Sequence, residues 1–225
     1  MTNNLELWDA VADIDPKFTK AITGKPYKGT SPNPHYLIKL ATEHLGPVGT
    51  AWGFNVVSEG FQPLGNETHH WCRLRVWTNS DDRTGYEAYG QTKAAYETKP
   101  DRDGHVRTIV DEDAAKKSLT DALTKALAQL GFAANIFLGR WDDSKHVAEV
   151  NEKFRQEERA ESEADHAKRL SEECVSLEAV TTLEELKTVW TRIYKAWGEN
   201  TPAELIRTKD TMKARLEDEA KGEAA

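Results

Sequence analysis

The segment 68–78, THHWCRLRVWT, constrains the fold most strongly, because its residue types alternate from one position to the next. Successive side chains of a strand point to opposite faces, so Cys72, Leu74 and Val76 would share one face. A helix would mix these apolar residues with their neighbours, so the alternation predicts a strand with one face in the core. The opposite face of that strand carries Trp71, Arg73, Arg75 and Trp77.

Two further strands and a helix are predicted around this segment. Residues 50–59 form a strand pattern, and the turn-forming stretch NSDDRTG leads to a return strand over residues 86–92. Residues 113–130 place apolar side chains at i, i+3, i+4 and i+7, which predicts an amphipathic helix ending at Gly131. We therefore expect an α+β fold with a β-β-β-α core, in which an antiparallel sheet or hairpin packs on this helix.

The C-terminal third has a different composition and is predicted to be helical. Residues 145–174 are highly charged and are expected to form one long solvated helix or a linker. Thr182 and Glu185 form a capping-box pattern ahead of an apolar helical stretch. The domains predicted from these changes are a core at 1–150, a charged segment at 151–179 and a small helical module at 180–225.

The composition excludes several classes of protein. The chain has 225 residues, and none of its apolar runs approaches the roughly 18–20 residues that span a bilayer, so we expect no membrane insertion. The N-terminal stretch MTNNLELWDAVADID is acidic and lacks the apolar region of a secretory signal. Cys72 and Cys174 are far apart, which argues against a disulfide scaffold or a cysteine-built zinc site. We therefore expect a cytoplasmic protein.

The charge distribution allows a basic patch on an acidic protein. The net charge is −8, which by itself argues against nucleic-acid binding. However, residues 17–41 contain no Asp or Glu and hold Lys17, Lys20, Lys25, Lys28 and Lys39. Each lysine taken singly is better explained as part of a solvated surface.

Most motifs that would indicate an enzyme are missing from the sequence. A phosphate-binding G-x-x-x-x-G-K-[ST] loop is missing, so ATP-driven strand exchange is not expected. His69, His70 and Cys72 could in principle bind zinc, but adjacent strand residues point to opposite faces, so no metal site is expected there. The acidic run 111–113 resembles a nuclease carboxylate cluster, but it is explained more simply by its place at a helix N-terminus.

The outer face of the strand 68–78 is the feature that points most directly to a function. Two guanidinium groups about 7 Å apart match the spacing of neighbouring phosphates. The tryptophans beside them offer surfaces on which unpaired bases stack. The alternative is an amphipathic strand whose tryptophans pack in the protein and whose arginines form ion pairs.

A family resemblance enters with the segment 116–132, KKSLTDALTKALAQLGF, which resembles the helix of the Rad fifty-two superfamily of single-strand annealing proteins. The recurring pattern there is T-D-x-L-x-[KR]-A-L, followed by a glycine and an aromatic or apolar residue. GTAWGFNV at 49–56 and RLRVWTNSDDRTGYEAYG at 73–90 precede it in the strand, strand, strand, helix order of that superfamily. The longer match over residues 6–150 is similar to phage-encoded annealing recombinases, which are related in role to Red-beta and RecT.

The resemblance implies a role in phage homologous recombination and DNA repair without ATP or another cofactor. Proteins of this group bind single-stranded DNA, keep its bases exposed and anneal it to a complementary strand, without covalent catalysis. They form homo-oligomeric rings or helical filaments and work beside an exonuclease in the bacterial host cytoplasm. By the same resemblance, the C-terminal helices contact the exonuclease, the host single-strand-binding protein, or both.

The candidate DNA-binding residues come from both arguments. Arg73 and Arg75 are the expected phosphate contacts, and Lys125 is the helix contact that the resemblance implies. Thr124 and Ala128 stand where many relatives have a basic residue. Further candidates are Lys28, Arg83, Lys93, Lys116, Lys117 and Arg140, with Trp71 and Trp77 stacking on bases or packing between subunits. We expect no catalytic residue and no metal ligand.

Two alternative functions remain open at this point. One is a magnesium-dependent nuclease that uses the acidic run 111–113. The other is a non-catalytic scaffold that recruits recombination partners through its C-terminal helices and whose sheet binds no DNA.

Overall fold

The computed structural model describes residues 3–23, 28–78 and 84–222, so the candidate Arg83 lies outside the described residues. The chain divides into two compact units, Met1–Lys153 and Phe154–Ala225. The predicted α+β class is confirmed, since the first unit contains a four-stranded antiparallel sheet and helices, and the second is helical. None of the helices among the described residues combines the length and apolar composition needed to cross a bilayer.

The described residues form six strands in two sheets. The strands are β1 (Thr19–Ala21), β2 (Thr30–Pro32), β3 (Gly53–Leu64), β4 (Glu67–Trp77), β5 (Gly85–Glu97) and β6 (Thr108–Val110). β1 and β2 form a small antiparallel pair, and the larger sheet has the order β3-β4-β5-β6, antiparallel throughout. The sequence predicted β3, β4 and β5, whereas it predicted no strand over residues 108–110, where β6 lies.

Seven α-helices lie in the described part of the chain. They are α1 (Glu6–Val11), α2 (Pro34–Leu45), α3 (Ala114–Gln129), α4 (Ala134–Phe137), α5 (Ser144–Glu178), α6 (Leu183–Trp197) and α7 (Ala203–Gly222). The charged segment 145–174, for which a helix and a linker were both considered, lies within α5. Asn33 caps the N-terminus of α2, because its side-chain oxygen accepts from the backbone N–H of His35 at 2.9 Å, and Pro34 occupies the first turn.

The core of the first unit lies between the large sheet and α3. Leu74 and Val76 of β4 are fully buried on the inner face, and Ala126 and Leu127 of α3 are fully buried opposite them. Burial of one leucine side chain stabilises a fold by about 1.5–3 kcal/mol, so the alternation of β4 fixes which face meets the helix.

Gly90 of β5 allows α3 to approach the sheet closely. A Cβ at this position would lie 2.2 Å from the carbonyl oxygen of Ser118 and 2.3 Å from the backbone nitrogen of Ala122. Because both atoms belong to the helix backbone, only glycine permits this contact.

Two polar contacts tie the inner face of the sheet to α3. The Nδ1 atom of the buried His70 lies 2.6 Å from Ser118 Oγ. The hydroxyl group of Tyr86 donates to the carbonyl oxygen of Ala126, and burial raises the pKa of this phenol. Both contacts satisfy polar groups that would otherwise be costly to bury.

The second unit has a core of its own. Leu177, Leu186, Ile193 and Leu205 are buried together with further apolar residues of α5, α6 and α7. Thr182 caps α6 by accepting from the backbone N–H of Glu185 at 3.2 Å. The Glu185 carboxylate accepts in return from Thr181 N at 2.9 Å, one residue before the cap, which lowers the pKa of Glu185.

Candidate nucleic-acid interface

The outer face of β4 carries the two predicted phosphate contacts. Arg73 and Arg75 are two residues apart on one face, and their side chains are 35% and 48% exposed. Both bind the same carboxylate on β5: Arg75 Nη2 lies 2.7 Å from Glu87 Oε1, and Arg73 Nε lies 3.5 Å from Glu87 Oε2. Two guanidinium groups therefore share one carboxylate, which leaves this part of the face with a net positive charge.

The two tryptophans on this face have different environments. Trp77 is 3% exposed, its ring covers Gly53, and its Nε1 donates to Asn55 Oδ1 at 3.1 Å. Its ring therefore packs within the sheet and offers no open surface to a base. Trp71 is partly exposed and lies over Gly60, where a Cβ would come within 3.4 Å of the indole.

A pocket of about 410 Å³ brings the exposed tryptophan near the helix residue that the resemblance implies. Its lining consists of Gln62, Trp71, Tyr89, Gly90, Gln91 and Lys125. α3 reaches the pocket because it packs against Gly90, and Asp121 Oδ2 accepts there from the backbone N–H of Gln91 at 3.1 Å. Lys125 Nζ lies 2.7 Å from the same carboxylate oxygen.

A second pocket, of about 370 Å³, follows α3 toward its N-terminus. Its lining includes Lys116, Lys117, Thr120 and Thr124 together with Asp121, whose carboxylate reaches the first pocket. Lys116 Nζ lies 2.7 Å from Asp113 Oδ1, and Lys117 Nζ lies 2.6 Å from Asp111 Oδ2. These contacts lower the pKa of both aspartates and raise the pKa of both lysines, so all four groups are charged at neutral pH.

A third pocket, of about 150 Å³, adjoins the second one, because Pro34 lines both. Lys17 and Lys20 line this pocket with Phe18, Thr19 and Asn33. We name the three pockets together the α3 groove. Its three pockets lie beside β1, along α3, and at Trp71 and Tyr89 of the large sheet.

The structure brings some of the predicted residues together and separates others. Arg73 borders the α3 groove, because its Nη1 lies 3.4 Å from the hydroxyl oxygen of Tyr89, which lines it. Lys93 lies farther along the outer face, where it binds Glu67 and approaches the ring of Tyr96. The exposed candidates Lys28 and Arg140 line none of the three pockets.

The interface also contains residues that the sequence argument did not select. Tyr89 and Gln91 lie on the return strand, directly opposite Arg73 and Trp71 in the β4–β5 register. The alternation of β5 places them on the outer face, so a register prediction for the hairpin would have found them. Gln62 could not be found in this way, since its position depends on the bulge between Val56 and Ser58.

The acidic and histidine residues considered as metal ligands have other partners. Asp111 and Asp113 bind Lys117 and Lys116, as described above. His69 Nε2 lies 3.0 Å from Glu67 Oε2, and His70 contacts Ser118. Asp101, Asp103 and His105 form an exposed cluster whose ligand atoms lie within 4.8 Å, and Asp101 Oδ1 there accepts the backbone N–H groups of the other two.

A scan against protein-family models found no matching family, and a search of the curated proteins found no match.

Proposed function

We propose that this protein binds single-stranded DNA along the α3 groove and anneals it to a complementary strand without ATP. The observation that carries the proposal is the α3 groove itself, three neighbouring pockets whose lining includes lysines of α3, the exposed Tyr89 and the partly exposed Trp71. Cations that neutralise phosphates and aromatic rings that stack with bases are the two components of sequence-independent single-strand binding.

The ion pairs within the α3 groove are compatible with DNA binding. The side chains of Lys116, Lys117 and Lys125 are 82%, 54% and 50% exposed in their pairs with aspartates. Exposed pairs of this kind contribute about 0–1 kcal/mol each, so a phosphate can replace the carboxylate at little cost. The carboxylates that remain limit the affinity of one protomer, so the proposal requires several protomers on one strand.

The two edges of the large sheet support head-to-tail assembly of such an oligomer. β3 and β6 each pair with one described strand only. Both edge strands carry exposed apolar residues, including Phe61 in β3 and Val110 in β6. β3 and β6 run in opposite directions, so β3 of a second copy would extend the antiparallel pattern beside β6. Unpaired strand edges readily accept another chain, and a head-to-tail contact gives either a ring or a filament.

Annealing needs no covalent step in this mechanism. The groove neutralises the phosphates of one strand, and pairing with the second strand supplies a stacking free energy of about 1.4 kcal/mol per base-pair step. The protein is therefore proposed to act without catalytic residues, metal or nucleotide. Its free thiols, Cys72 and Cys174, fit the reducing host cytoplasm proposed for it.

The C-terminal unit is assigned to partner contacts in the same proposal. Trp190 and Lys209, with the lysine Nζ 4.9 Å from the ring centroid, line an apolar pocket of about 390 Å³. Lys187, Lys213 and Glu217 also line it, so its charged residues are three lysines and one glutamate. An apolar pocket with this excess of lysines suits an acidic segment of a partner such as the exonuclease or the host single-strand-binding protein.

Fluorescence anisotropy with a labelled single-stranded oligonucleotide tests the DNA-binding part of this proposal. The variant with Arg73→Ala and Arg75→Ala should bind less tightly and show a smaller salt dependence than the unmodified protein. The matched control is Arg102→Ala with Arg107→Ala, which removes the same charge from two exposed residues outside the α3 groove. Equal losses in both variants, or no binding by the unmodified protein, would contradict the proposal.

A further inference from the structure

The pocket at the sheet end of the α3 groove has a lining suited to a flat, polar-edged ligand. One aromatic ring is more than half exposed, since Tyr89 retains 56% of its surface. The partly exposed indole of Trp71 lies in the same pocket, together with the side chains of Gln62 and Gln91. The volume of about 410 Å³ lies within the range of roughly 300–1,000 Å³ that small-molecule sites occupy.

We infer that this pocket, defined by Gln62, Trp71, Tyr89, Gln91 and Lys125, holds one unpaired nucleobase of the bound strand. The inference rests on the proposed function and makes it more specific. It assigns the pocket to a base, whereas the lysines along α3 serve the sugar-phosphate backbone.

The aromatic residues supply the stacking surface for that base. Tyr89 is held on one side by Arg73, whose guanidinium carbon lies 6.0 Å from the ring centroid and whose Nη1 contacts the phenol oxygen. This contact orients the ring while most of its surface stays accessible. Trp71 is held against Gly60, so both aromatic groups are positioned before a ligand arrives.

The glutamine side chains supply hydrogen bonds to the edge of the base. Gln62 and Gln91 are both exposed, and neither side-chain amide has a hydrogen-bond partner within the described residues. Each amide offers one acceptor and two donors, so it can bond to the edge of any of the four bases. The affinity should therefore differ little among the four bases, and it should be much lower for an abasic strand.

Two cations flank the pocket at positions suited to the adjoining phosphates. Arg73 borders it through Tyr89, and Lys125 enters it from α3. A nucleotide placed between them would have a positive charge near the phosphate on either side. A base held in this way cannot pair, so it must leave the pocket before the complementary strand anneals at that position.

The test compares two labelled polymers of equal length and charge, an oligothymidylate and an abasic deoxyribose-phosphate chain. The unmodified protein should bind the oligothymidylate more tightly. Tyr89→Ala should weaken binding of the oligothymidylate by roughly 5- to 150-fold, the effect of losing one stacked base, and leave abasic binding unchanged. Tyr89→Phe keeps the ring and should retain the preference.

Tyr194→Ala is the matched control, because Tyr194 is also half exposed, at 52%, and lies in the second unit. Equal binding of the two polymers by the unmodified protein would overturn the base pocket and leave single-strand binding intact. A preference that persists in Tyr89→Ala and in Gln62→Ala with Gln91→Ala would also overturn it. Failure to bind either polymer would refute the proposed function itself.

Discussion

Replacing Glu87 by glutamine should increase the affinity for single-stranded DNA. The carboxylate of Glu87 binds Arg75 at 2.7 Å and Arg73 at 3.5 Å, so it competes with phosphate for both guanidinium groups. All three side chains are more than a quarter exposed, so the ion pairs contribute a free energy in the range of exposed pairs, about 0.2–1 kcal/mol. Their removal should therefore tighten binding by roughly 1.4- to 5-fold.

The salt dependence of binding is a second, independent quantity that Glu87→Gln should change. One additional phosphate contact on a single strand steepens the slope of log K against log salt by about 0.7. Between 50 and 200 mM salt, Glu87→Gln should then lose roughly 2.5-fold more affinity than the unmodified protein. Fluorescence anisotropy titrations at several salt concentrations measure both quantities.

Glu97→Gln is the matched control for Glu87→Gln. Glu97 is an exposed residue of the same strand, and it has no ion pair within the described residues. An equal gain in both variants would show that only the net charge matters. Unchanged or weaker binding by Glu87→Gln would refute the argument that Arg73 and Arg75 contact phosphate.

Three further predictions concern the contacts that build the α3 groove. Gly90→Ala should destabilise the first unit by about 1–3 kcal/mol or more in urea unfolding, because the added Cβ would meet the α3 backbone at 2.2 Å. Ser118→Ala should cost about 1–3 kcal/mol in the same assay, because it leaves His70 Nδ1 buried without its 2.6 Å contact. Lys117 lowers the pKa of Asp111 below 3.8, so this pair stabilises the fold above that pH and ceases to do so as the pH falls through the lowered pKa. Lys117→Met should therefore reduce the loss of stability measured by acid titration of circular dichroism in that window.

Controls separate these effects from general damage to the fold. Gly60→Ala adds the same methyl group in the same sheet at an ordinary contact distance of 3.4 Å from Trp71, so it should be nearly neutral. A Gly90→Ala variant as stable as Gly60→Ala would contradict the close helix approach. Unchanged unfolding of Ser118→Ala would contradict a stabilising contact between Ser118 and His70. An unchanged acid profile of Lys117→Met would contradict a stabilising pair between Lys117 and Asp111.

The sequence was sufficient to predict the elements that have strong periodicity. The alternation of β4 and the apolar spacing of α3 follow from which residues must be buried, and both elements lie close to their predicted bounds. β1, β2 and β6 have three residues each and are too short to show a period. They form because they pair with neighbouring strands, and that pairing cannot be predicted from the local sequence alone.

The candidate site was predictable in its residue types and less so in its geometry. Alternation placed Trp77 on the same face as Arg75, but it could not show that the indole would lie over Gly53. The charge pattern gave no sign that Glu87 would bind both arginines, because that depends on the hairpin register. Lys125 was selected from the resemblance, and its place beside Tyr89 depends on the close approach of α3 at Gly90.

Annealing of two complementary oligonucleotides tests the central claim most directly. Fluorescence quenching on pairing should be measured at low and high salt, without ATP and with EDTA, in the presence and absence of the protein. The account predicts annealing faster than in the protein-free control, with the acceleration suppressed at high salt and reduced by Arg73→Ala with Arg75→Ala. No acceleration at low salt by folded protein would contradict it, and so would acceleration that requires ATP or a divalent metal.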